Sequence, residues 1–89
     1  MLPKIPVHVL QRPDWYGEPQ PVGDTFRLHK SKCGRQLEAV CRLVTHQLGW
    51  ELRLEVAGSL QMSRVCRRQD EVLDASEQWK TAMIAKGWQ

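Results

Sequence analysis

The sequence predicts an α+β fold, an antiparallel three- to four-stranded meander with one C-terminal amphipathic helix packed on one face of the sheet. Three observations predict it. All five prolines fall before residue 24. Apolar–polar alternation begins at Thr25 and recurs in runs separated by short polar turns. From Asp70 to Lys86 the apolar residues change to helical spacing. Short loops between alternating runs leave no room for crossover helices, so neighbouring strands pair antiparallel.

The chain divides into a Pro-rich N-terminal arm, residues 1–23, and a β-meander plus C-terminal helix domain, residues 24–89. Proline fixes φ and lacks an amide donor, so Pro3, Pro6, Pro13, Pro19 and Pro21 forbid a helix through the arm. Ile5, Val7 and Val9 alternate and suit one short edge strand. Pro3-x-x-Pro6 has the spacing of a polyproline ligand, and Trp15 with Tyr16 forms an aromatic plug on a turn. In the domain, Phe26 and Leu28 share one strand face. The Ser31-Lys32-Cys33-Gly34-Arg35 stretch turns the chain. Leu37, Ala39, Cys41, Leu43 and Thr45 then alternate with Glu38, Val40, Arg42, Val44 and His46. Trp50 to Val56 alternates strictly, apolar on even positions, and Leu60 to Arg67 supplies a further strand after Gly58-Ser59.

That last hairpin admits two registers. A two-residue Gly58-Ser59 turn sets Ala57 opposite Leu60 and puts Leu60, Met62 and Cys66 on the open face with Val40 and Val44. A three-residue loop over Ala57-Gly58-Ser59 sets Leu60 and Met62 inside, opposite Val56 and Leu54. A bulge near Ser63 then brings Val65 inward, because a one-residue slip flips every later side chain. The second is the reading adopted for the first half of the strand. It leaves an open face of Arg27, Arg42, Arg53, Glu51 and Glu55, whose opposite charges pair across strands.

In the helix, Val72, Ala75, Trp79, Ala82 and Met83 share one arc, with Ser76 and the stem of Lys86 beside them. Asp70 and Glu71 stand at its amino end, where a carboxylate caps free amides. Gly87 fits the left-handed position after the helix, and Trp88 then packs back on Met83 in a Schellman ending.

Composition bounds the function. Eighty-nine residues allow one domain, and 42% hydrophobic with 26% charged residues is an ordinary globular balance. No apolar run reaches membrane-helix length, so no membrane partner is expected, and Met1-Leu2-Pro3-Lys4 lacks the apolar stretch of a secretory signal. Three cysteines, odd in number and without C-x-x-C spacing, point to a reducing, cytoplasmic setting and to buried thiols. Their intervals match no common zinc site with His29 or His46. Neither a cofactor nor a small-molecule substrate is evident.

No phosphate loop, H-E-x-x-H or G-x-S-x-G occurs. Glu51 and Glu55 flank Arg53 on one strand face, which makes an ion-pair row rather than an acid/base pair. His29 and His46 lack a nearby nucleophile. Cys33, beside Lys32 and Arg35 in a turn, is the one position suited to thiol chemistry. Trp50 and Trp79 occupy core-facing positions, which leaves Trp15 and Tyr16 as the aromatic pair available to a ligand.

A sheet followed by a helix resembles, in element order over roughly residues 37–87, the plant AP2-type and integrase arm-type DNA-binding modules, which lay their sheet in the major groove. That resemblance implies a nucleic-acid partner, and Glu38, Glu51 and Glu55 on the reading face oppose it. The expected function is a small non-enzymatic protein-interaction module, self-associating through its sheet face in one version. Its candidate contacts are Val40, Val44, Leu60, Met62, Leu73, Ile84, Trp15 and Tyr16. The alternative is nucleic-acid binding through Arg27, Lys30, Lys32, Arg35, Arg42, Arg64, Arg67 and Arg68, consistent with a charge of +3.

Overall fold

In the computed structural model, which describes residues 15–89, four strands follow one another as a meander in the order β1-β2-β3-β4. They are β1 (Pro21–Lys32), β2 (Arg35–His46), β3 (Gly49–Val56) and β4 (Ser59–Cys66), and α1 (Gln69–Ala85) comes after them. Every pairing is antiparallel. The alternating strands and the helix stand as their periodicity predicts. The edge strand expected around Ile5, Val7 and Val9, and the Pro3-x-x-Pro6 spacing, lie outside the described residues.

Two of the three turns use a residue followed by glycine, both with positive φ: Cys33 (51°) with Gly34 (77°), and Ala57 (51°) with Gly58 (81°). That is the left-handed pair a two-residue hairpin needs to match strand twist. β1 reaches back to Pro21, into the stretch assigned to the arm. The Gln20 amide donates to Thr45 Oγ1 at 2.8 Å and the Thr45 amide to the Gln20 carbonyl at 2.9 Å, which ties the approach to β1 onto β2. Pro21 begins an edge strand, where a missing donor costs nothing. A register shift between Asp24 and Phe26 then sets Phe26 and Leu28 inward.

The β3–β4 hairpin matches neither expected register. Its turn is Ala57-Gly58, so Val56 faces Ser59 and Leu60 faces Glu55. The bulge comes early: Leu54 faces Met62, which leaves Gln61 as the extra residue. Leu60 therefore stands on the open face and Met62 on the helix face, although both expectations kept them together. After the bulge Cys66 pairs with Trp50 inside and Val65 faces Glu51 outside, the reverse of the inward Val65 expected. The cause is local. With Ala57 and Gly58 both left-handed the turn closes one residue early, and one bulge residue restores the parity that buries Cys66.

The core is a single cluster on the helix face: Phe26, Leu28, Ala39, Cys41, Leu43, Trp50, Leu52, Leu54 and Cys66 from the sheet, with Val72, Ala75 and Trp88 over them. Trp79 and Met83 pack half-buried against it. Ala82, expected within the buried arc, is exposed and lines a groove between the second half of α1 and β3–β4. At the amino end the cap is Arg68, without a side-chain hydrogen bond, and Asp70 Oδ1 accepts only the adjacent Glu71 amide at 3.0 Å. The carboxy end closes as expected. Gly87 has φ 96°, its amide donates to the Ile84 carbonyl at 3.0 Å, and the Trp88 amide donates to the Met83 carbonyl at 3.2 Å. That ending turns Trp88 into the core and sets Gln89 against β1, where Gln89 and His29 exchange both backbone bonds (2.7 and 2.9 Å). One edge of the sheet is thereby partly covered.

Candidate functional site

Three surfaces carry the predicted site residues. On the open sheet face, neighbours across strands and along them bring opposite charges together. Arg27 reaches Asp24 at 2.8 Å and Glu38 at 2.9 Å, while Arg42 reaches Glu55 at 3.1 Å and Asp24 at 3.6 Å. Arg53 pairs with Glu51 at 2.9 Å, and His29 Nε2 lies 3.2 Å from Glu38 Oε2. The Arg27 guanidinium, hydrogen-bonded first to Asp24 and then to Glu38, is held above its ordinary pKa. Its bond to Glu38 in turn lowers that carboxyl below the usual 4.5. Such exposed pairs, screened by water and salt, contribute little stability each. Their larger effect is steric. Val40 and Val44 lie on this face with only 4% and 9% of their surface exposed, Val40 between Arg27 and Glu55 and Val44 between Pro21 and Glu51. The apolar open-face patch expected of Val40, Val44, Leu60 and Met62 is not assembled, because the two valines are covered and Met62 points to the other face.

The basic residues are dispersed. Arg27 and Arg42 are engaged in the ion pairs above. Lys30 donates to the Lys86 carbonyl at 2.9 Å with its ammonium 5.9 Å from the centre of the Trp88 ring, so it seals the end of the helix. Lys32 and Arg35 flank the β1–β2 turn, whereas Arg67 and Arg68 follow β4 at the opposite end of the sheet. Arg68 pairs with Asp70 at 3.1 Å. Arg64 and Arg67 take part in no ion pair among the described residues.

The third surface is the β4 edge. Every residue of β4 except Cys66 is exposed, including Leu60 (57%), Met62 (45%) and Val65 (38%). Among the described residues no strand or tail pairs with its outer side. Beside it runs the groove, about 380 Å³, lined by Leu54, Val56, Met62, Trp79, Met83 and Trp88, with Gln61, Ala82 and Lys86 completing the wall. An unpaired ladder of backbone donors and acceptors next to an apolar slot is the arrangement that accepts an added strand. Leu73 and Ile84 are half exposed on α1, but at 100° per residue they lie about 160–180° around the helix from Ala82, away from this groove. They form no joint surface with β4.

Sequence reasoning picked out Leu60, Met62 and Arg64 but missed the groove that Trp79, Met83, Lys86 and Trp88 build beside them. The signal available was Ala82, a small residue in the apolar arc that leaves space over β4.

The thiols separate by burial. Cys33 is exposed in its turn, whereas Cys41 and Cys66 are buried. Burial pushes the Cys41 thiol up to about 11 and raises Cys66 as well, the opposite of what a thiolate nucleophile needs. Among the described residues no group of three or more metal-ligating side chains gathers, and no helix is long and apolar enough to cross a membrane. Trp15 tilts over His46 with ring centres 6.3 Å apart, and Tyr16 is largely exposed beside it. His46 Nδ1 also accepts the Leu48 amide at 3.0 Å, so this histidine organises the β2–β3 turn. The chain matches no protein-family model, no curated protein and no solved structure.

Proposed function

We propose that this chain is a non-enzymatic protein-interaction module whose partner docks on the β4 edge and the groove beside it, rather than on the open sheet face. One observation carries the reading. Among the described residues β4 is a terminal strand with an unpaired edge, exposed Leu60, Met62 and Val65, and an apolar slot alongside. Domains blunt such edges with charges or a covering segment; among the described residues no segment covers this one, and Leu60, Met62 and Val65 stand exposed along it with Arg64 as its one charge. The open face supports self-association less well, since its valines are covered and its charges are mutually paired. Binding of nucleic acid is less well supported too, since Arg27 and Arg42 already have carboxylate partners and the remaining cations lie at opposite ends of the sheet.

The test is selection from a random-peptide library on the full chain, followed by binding to variants. The expected result is enriched peptides that lose at least tenfold in affinity for Met62→Lys and are indifferent to Arg42→Glu. No enrichment, or peptides sensitive only to Arg42→Glu, would overturn the assignment. So would tight oligonucleotide binding that weakens steeply with salt.

A further inference from the structure

Resting on that reading, we infer that the occupant of the β4 edge is an extended segment of another protein, apolar along its length and acidic at the end that lies beside Arg64 and Arg67. From Ser59 to Gln69 the chain contains no acid and three arginines: Arg64, Arg67 and Arg68. Arg68 is neutralised by Asp70, but Arg64 and Arg67 take part in no ion pair among the described residues. Lys86 adds a cation on the groove wall near Gln61 and Met62, with its ammonium in no ion pair among the described residues. The acid facing this edge from α1 is Glu71, whose charge acts on the Cys66 thiol in opposition to that of Arg64. The β3 carboxylates Glu51 and Glu55, opposite Val65 and Leu60, are already taken by Arg53 and Arg42, so Arg64 and Arg67 at the Cys66 end of the strand stay uncompensated among the described residues.

A second copy is the wrong occupant on this account. Two β4 strands paired antiparallel about a two-fold axis would double the uncompensated arginines, and Ser59–Gln69 brings no acid to meet them. Nucleic acid meets the charge but not the rest of the surface. It offers no backbone ladder to match the unpaired edge and no side chain for a slot lined by Leu54, Val56 and Met83. An added strand satisfies all three features, because alternate residues point to opposite faces. On the helix face one side chain falls beside Met62 and the groove, and the next beside Arg64. On the open face its neighbours are Leu60 and Val65.

The experiment uses the full chain and capped eight-residue peptides of alternating valine and threonine. One pair of peptides carries two glutamates at the amino or the carboxyl end, and a second pair carries lysines at the same places. Binding is read from backbone amide shifts and from tryptophan fluorescence. The expected result is that one glutamate peptide shifts the Ser59–Cys66 amides and binds at least fivefold tighter than its lysine counterpart. The Arg64→Glu/Arg67→Glu variant, with both positions exposed and folding checked by thermal melt, should invert that preference. Equal binding of both peptides at β4 overturns the acidic occupant and leaves the docking edge standing. If neither peptide moves β4, the strand occupant is overturned, and the library selection judges the edge separately. A salt-insensitive dimer whose contacts map to β4, or an oligonucleotide that shifts the same amides more strongly than the peptide, also overturns it.

Discussion

Gly49→Ala should be the most damaging single-methyl change in this domain. Gly49 has φ 141°, a region where side chains with a Cβ are strained by roughly 1–3 kcal/mol. It also backs onto the point where the chain leaves β4 for the helix. An added Cβ would lie 2.6 Å from the Cys66 carbonyl oxygen and 3.3 Å from the Arg67 Cα, both backbone, so neither can rotate away. Forcing that segment outward is an overpacking cost of another ~1–3 kcal/mol. The sum, about 4 kcal/mol, compares with a total stability of roughly 4–13 kcal/mol for a chain of this length. Gly34→Ala is the control, since its φ of 77° is also left-handed but its added Cβ meets nothing. That variant should lose only ~1–2 kcal/mol. Urea unfolding followed by tryptophan fluorescence and thermal melts by circular dichroism read both. The expected fall in Tm is about 16–32 °C for Gly49→Ala against about 4–16 °C for Gly34→Ala. Losses within 1 kcal/mol of each other would refute the clash and leave only backbone strain.

Other outcomes follow from particular residues. Ala57→Asn places the residue best suited to a left-handed position before Gly58 and should raise stability by ~0.5–1 kcal/mol in urea unfolding. Ser76→Ala should be neutral or stabilising by up to ~1 kcal/mol by the same assay, because the buried Ser76 hydroxyl has no hydrogen-bond partner among the described residues and alanine favours the helix. A thiol reagent at neutral pH should label Cys33 readily in the folded protein and reach Cys41 and Cys66 only on unfolding, as counted by mass spectrometry. Glu38, whose folded pKa is depressed below 4.5 by Arg27, contributes stability that is present above that value and lost as pH falls through the folded pKa. Glu38→Gln should therefore flatten the acid side of a Tm-against-pH profile below about 4.5 and leave the shape near neutrality unchanged.

Local chemistry was enough to write much of this fold into the sequence. The strict alternation of Trp50–Val56 can bury only one face, so it specifies strand β3 and its orientation without reference to any neighbour. Gly87 followed by Trp88 specifies how the helix ends, because both hydrogen bonds of that ending are made within a few residues. The alternating charges on β2 and β3 likewise foretold the ion pairs of the open face. What the tertiary structure decided lies where two outcomes differ by one residue. The Ala57-Gly58 turn and the Gln61 bulge are each locally acceptable elsewhere along the strand, and the choice falls to whichever register buries Cys66 beside Trp50. That choice parted Leu60 from Met62 and turned an expected face into an edge. Burial of Val40 and Val44 was hidden for the same kind of reason, since it depends on side chains of β1 and β3 reaching across them. The groove is the most tertiary feature of all. Its walls come from residues far apart in sequence, with Leu54 and Val56 of β3 and Met62 of β4 facing Trp79, Ala82 and Met83 of the helix.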